Sequence, residues 1–310
     1  MGYYNGTAND LTALRQALID ACTGEGWAWD SINSVLSNGT MFANLAITAN
    51  GITLLGKTGV TSGAAPSAVR IGKLFNRSGY PTYDIMFPAA YEVFLFDREV
   101  YLVVKYDVDR YQWMAFGQST VSGLPGTGMW VGASAGASVV DGTWSAVGPI
   151  AITGNGGPGG NNNKISGALF WATDDMQSGA LRNFFVHSNL DGLGWYTGGA
   201  ANTSSGPSIE TLDPLVGLLP NSWNSEAVLL PMRSYKVRGT YRISLIADIE
   251  HARYTRVDNY APGEIIMIGS DRWKVFPWHR KNTSVRNGSS SSVGIDHTGT
   301  FGWAIRYEGL

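Results

Sequence analysis

Several stretches of this chain carry residue types at spacings that chemistry uses. Gly132-Ala133-Ser134-Ala135-Gly136 has the letters of the G-x-S-x-G turn, which presents a nucleophilic serine for acyl transfer. That turn needs a buried strand before the serine and a helix after it. Here Gly-rich turns precede it, and Ala137-Ser138-Val139-Val140-Asp141-Gly142 follows with no helical period, so no nucleophile is expected. Gly154-Asn155-Gly156-Gly157-Pro158-Gly159 matches G-x-G-x-x-G, but it sits in a low-complexity run ending in Asn161-Asn162-Asn163, with no helix to receive a pyrophosphate. Asp174-Asp175 and the pair Asp107/Asp109 have the types of a glycosidase acid and base, although paired acids near hairpin ends are ordinary turn residues. His187, His251, His279 and His297 stand apart. Their only acidic neighbours, Glu250 and Asp296, are adjacent in sequence and point to opposite faces of a strand. The expectation is no catalytic residue, no cofactor and no metal.

Contact chemistry is better represented. The 11 Trp residues have no stacking period, and an aromatic removes much area from water for few rotatable bonds, so they read as core and interface anchors. Trp278-His279-Arg280-Lys281, at the point where a strand leaves its sheet, joins an aromatic to polar donors and is the best candidate contact surface. Trp130 and Trp144, isolated among glycines, are further candidates. With Trp195 they would serve a carbohydrate- or receptor-binding alternative by stacking on sugar rings.

Strands must position these residues. From Tyr91 to Phe116 three aromatic and branched runs are separated by Asp97-Arg98-Glu99 and Asp107–Arg110, which predicts an antiparallel meander. Large apolar groups fall on both faces, so the sheet must be covered on each side, by another layer of this chain or by a neighbouring subunit. Leu11, Leu14, Leu18 and Cys22 recur at helical spacing over Asp10–Thr23, with Asn9 as cap and Gly24 as stop. Cys22 in that stripe reads as a small buried hydrophobe. Strands are expected over Ile32–Leu36, Met41–Thr48 and Ile52–Leu55, joined by type I′ turns at Asn38-Gly39 and Asn50-Gly51. Further strands are expected over Val69–Phe75, Tyr83–Phe87, Ser166–Thr173, Asn183–Ser188, Ala227–Met232, Tyr235–Val237 and Tyr241–Ile249. The hairpin Glu264–Trp278 and a terminal strand Phe301–Tyr307 complete the set. Residues 117–167 read as loose and Gly-rich, and Lys281–Ser292 as an exposed loop.

The fold class is therefore mainly β, antiparallel meanders or a sandwich with one N-terminal helix and long Gly-rich loops. Its segments are 1–60, 61–225 and 226–310, or one continuous domain. Forty Gly beside 14 Tyr and 11 Phe fit that class. A formal charge of −2 with 15% charged residues gives no electrostatic case for nucleic acid or an acidic membrane. No basic-then-apolar leader and no long apolar run is present, so neither secretion nor a membrane span is expected. Residues 226–310 hold 12 Lys and Arg against 8 Asp and Glu, while the rest hold 10 against 16. That asymmetry is either a solvated face or a means of setting register between subunits.

The segments Tyr106–Trp130 (YDVDRYQWMAFGQSTVSGLPGTGMW), Ser166–Thr173, Gly263–Asn282 and Gly302–Gly309, with the opening helix Leu11–Trp27, resemble virion structural proteins of tailed bacteriophages. The resemblance implies a non-enzymatic virion component, assembled in the host cytoplasm as a homo-oligomer. It would contact other tail or neck proteins, at a neck/collar or a baseplate/tail-tip position. The motifs are structural and bring no active residues.

Overall fold

The computed structural model describes residues 1–73, 84–137, 168–170, 183–197, 228–238, 242–257, 259–281 and 301–309. Along the chain, β1 (Gly2–Ala8) is followed by α1 (Leu11–Gly24). Then come β2 (Ala28–Asp30), β3 (Val35–Ser37), β4 (Phe42–Thr48), β5 (Gly51–Lys57) and β6 (Val69–Gly72). The expected meander forms β7 (Ala89–Leu95), β8 (Glu99–Asp107) and β9 (Arg110–Gln118). After it come β10 (Met129–Ala133), β11 (Ala135–Gly136), β12 (Phe184–His187) and β13 (Trp195–Tyr196). The C-terminal part supplies β14 (Leu230–Arg238), β15 (Arg242–Arg256), β16 (Ile265–Ile268), β17 (Asp271–Pro277) and β18 (Phe301–Arg306).

These strands make three antiparallel sheets: β1-β7-β8-β9-β10-β12-β13, β11-β6-β5-β4-β3-β2 and β14-β15-β18-β17-β16. The first lies between the other two. Period-two alternation sends Val93, Leu95, Leu102 and Val104 to one face, where they meet Leu36, Leu45, Leu54 and Ile71 of the second sheet and Leu14, Leu18 and Cys22 of α1. Phe94, Tyr101, Val103 and Trp113 go to the other face and meet Tyr254, Phe276, Trp278, Trp303 and Ile305 of the third. The cover anticipated for the meander is thus supplied on both sides by this same chain.

Several boundaries differ from expectation. Asp10, not Asn9, caps α1: its backbone is extended and its carboxylate accepts the Ala13 N–H at 2.7 Å. The left-handed residue beyond the helix is Gly26, at φ 88°, not Gly24. Neither Asn-Gly pair makes a type I′ turn. Thr48 pairs with Gly51, so that loop is Ala49-Asn50, and Asn38 Oδ1 instead accepts the N–H groups of Thr40 and Met41 in a four-residue loop. Ile32 lies in a turn and is 93% exposed. The described residues 84–87 of the strand expected over Tyr83–Phe87 are not in a strand, and residues 168–170 form a turn. The two strands expected between Ala227 and Val237 are one, β14, with two register irregularities against β15. Residues 117–137 hold the fully buried β10. Its glycine disguised it: a side chain at Gly132 would collide with Leu169 and Trp113.

Candidate functional site

Ser134 stands where the chain leaves β10 in the middle sheet and enters β11 in the second. A buried strand does precede it, but its hydroxyl accepts the Trp113 N–H at 2.8 Å and is 3% exposed, which makes it a corner fastening rather than a nucleophile. Asp107 lies 3.5 Å from Arg110 across the β8–β9 turn, where Asp109 adopts φ 56°. Asp174, Asp175, Trp144, His297 and the Gly154–Gly159 run lie outside the described residues. His187 accepts the Thr127 N–H on Nδ1 at 3.0 Å, and burial lowers its pKa. His279 is buried, and desolvation holds its pKa down to about 4.

Sequence reasoning missed a buried polar cluster. Glu99, read as a turn residue, begins β8 and is buried against β15. Its Oε1 accepts the Glu250 N–H at 2.7 Å. Its Oε2 faces the His251 N–H at 2.8 Å, His251 Nδ1 at 2.9 Å and the Tyr101 hydroxyl at 2.7 Å. The His251 ring stacks on Phe96 at 3.9 Å. Burial and the adjacent carboxylate push the Tyr101 hydroxyl well above its ordinary pKa, so it stays a donor. The available signal was a tyrosine two residues after an acid, on the same face of one strand.

Other buried polar groups do similar work. The Gln112 amide accepts from Gly72 N–H at 2.7 Å and donates to Gly72 O at 2.8 Å, joining the middle and second sheets. Asn183 donates to the carbonyls of Ala133 and Ala168. Lys236 on β14 reaches Asp191 at 3.0 Å and the Tyr196 hydroxyl at 3.1 Å, fixing the third sheet to the end of the first. These groups hold layers together. Among the described residues no three His, Cys, Asp or Glu side chains gather as metal ligands.

The expected contact residues require correction. Trp130 is fully buried, 6.2 Å from Tyr101 and 5.9 Å from Phe170 between ring centroids. Trp278 stacks on Trp303 at 4.6 Å and 22°, with Trp113 at 5.2 Å, because the strand end turns its indole into the core between the middle and third sheets. His279 is buried beside it, and of this trio only Arg280 is exposed. Trp195 donates its indole N–H to Gly63 O at 3.0 Å and lies over Gly56, leaving it half-buried.

The surface that stands out is an end of the sheet stack. At one end of the stack, among the described residues, β13 is two residues long, and β14 carries the charged Arg233 and Arg238 and pairs with β15 through two register shifts; short strands, charge and irregular pairing are how sheet edges are shielded. At the other end β1 and β16 are both edge strands among the described residues. They lie on the same flank: Lys274 of β17, beside β16, bonds Glu92 of β7 and Tyr3 of β1, and Tyr3 packs on Tyr307 at 5.0 Å. β1 has no charged residue, no proline and an unbroken seven-residue register. β16 exposes Ile265, Met267 and Ile268, with Met267 at 70%. Beside β1, Ala13, Gln16, Ala17 and Asp20 of α1 line an open groove of about 660 Å³ with Tyr4 and Tyr91. Searches against protein-family models and against curated proteins find no match to this chain.

Proposed function

We propose that this chain is a non-enzymatic structural subunit of a tailed-phage virion. It assembles with copies of itself in the tail or neck/collar region and contacts other virion proteins. The observation that carries the reading is the β1/β16 flank, which no described residue shields, set against an opposite flank shielded by charge, irregular pairing and a short strand. An uncharged, regular edge beside exposed apolar side chains is a liability in a chain that stays alone and a joint in one that assembles. Two further features support it. The polar groups with catalytic potential, Ser134, Glu99 and Lys236, direct their hydrogen bonds at backbone and neighbouring strands. The phage resemblance is carried by segments that include β9, β16–β18 and α1.

Sedimentation velocity on the purified chain, together with tracing of its density in assembled particles, tests the reading. The expected result is a defined multimer and a place in the virion. A monodisperse monomer at every concentration, absent from particles, refutes it.

A further inference from the structure

We infer that β1 pairs with β1 of a second copy of this chain about a twofold axis, continuing the middle sheet from one subunit into the next; this rests on the assembly reading above and names its joint. The register follows from the ladder. The β7–β8 hairpin closes with Phe96 N–H bonded to Glu99 O. Ladder bonds alternate, so even-numbered residues of β7 bond β8 and odd-numbered residues bond β1. Tyr91, Val93 and Leu95 face Gly6, Tyr4 and Gly2. The N–H and C=O groups of Tyr3, Asn5 and Thr7 therefore point away from the sheet. Antiparallel pairing with Asn5 opposite Asn5 of the second copy places Tyr3 opposite Thr7 and brings all three outward residues of each strand into six bonds.

Self-pairing suits this edge better than pairing with a charged partner. Gly2–Ala8 carries no charge, so no like charges meet across the axis. The same axis brings the two α1 helices together along Ala13 and Ala17, whose small side chains allow close approach. On the other side of the sheet it brings β16 toward its counterpart, covering Ile265 and Met267. Seven residues span about 23 Å along the strand, and helix, middle edge and upper edge together are roughly 25 Å across. The footprint, on the order of 600 Å², approaches what each partner buries in a standard interface.

Two variants test this in the full-length chain. In Asn5→Cys the paired Cα atoms sit about 5.5 Å apart, within disulfide reach, and Cys22 is buried and inert. Mild oxidation should convert most of the protein to a covalent dimer that reductant reverses. Asn5→Pro removes an outward N–H and no bond to β7, and should weaken self-association at least about tenfold, whereas Asn5→Ala should not. If Asn5→Pro fails to fold, the cysteine variant alone decides. A multimeric protein whose Asn5→Cys form does not cross-link overturns the β1 joint and leaves the assembly reading standing. A monomeric wild-type chain overturns both.

Discussion

Replacing Glu99 by Gln tests whether the buried carboxylate is a fastening between sheets. The side chain keeps its size and both terminal atoms, so packing is preserved. What changes is that four donors converged on two acceptor oxygens, and only one oxygen remains. Two of the four can adapt: the Tyr101 hydroxyl rotates to accept, and His251 moves its proton to the other ring nitrogen. The backbone N–H groups of Glu250 and His251 cannot become acceptors. Whichever way the amide turns, one of them faces an NH₂ group in a site that is 1% exposed at residue 99. An orphaned buried donor costs about 1–3 kcal/mol, so we expect a loss of about 2 kcal/mol in urea unfolding at fixed protein concentration. We also expect faster hydrogen exchange at Glu250 or His251 by roughly 30-fold if that loss is local. Glu99→Ala, which orphans both amides, should cost more. If Glu99→Gln matches the wild type in stability and in exchange at both amides, the fastening role is refuted.

Three further outcomes are expected. Gln112→Leu keeps the volume but strands both Gly72 groups between the middle and second sheets, and should cost about 2–4 kcal/mol by urea titration. Ser134→Ala should cost about 1 kcal/mol and leave self-association unchanged, as read by sedimentation. The neutral His279 gives stability a defined pH dependence. The unfolded chain takes a proton there near 6.5 while the folded chain resists until about 4, so stability is full above 6.5 and falls as pH drops toward 4. That gap corresponds to about 3 kcal/mol, and His279→Gln should remove this share of the acid slope in titrations monitored by unfolding.

What was legible in the sequence was local. Val93 to Leu95 and Tyr101 to Val104 alternate core-facing residues between two faces, and a strand that is apolar on both sides must be an interior one. The spacing of Leu14, Leu18 and Cys22 likewise fixed the buried stripe of α1. Pairing between strands distant in sequence was not legible. Tyr4 meets Val93 and Trp130 meets Val186, and no short-range pattern announces such partners. The tryptophan placements failed for a physical reason: an indole serves a core and a contact patch equally well, and only tertiary packing decides that Trp278 and Trp130 go inward. Glu99 was missed because a charged residue in a turn reads as solvated until a second layer folds over it. The β1/β16 flank was invisible for the same reason, since an edge strand becomes one only when the sheet order is known.

The indoles of Trp113, Trp278 and Trp303 sit within 4.6–5.5 Å of one another, one from the middle sheet and two from the layer above it. Transition dipoles that close couple strongly, and the coupling falls with the cube of their separation. The protein thus carries its own optical gauge: near-ultraviolet circular dichroism will register a parting of those layers before any strand is lost, with no label attached.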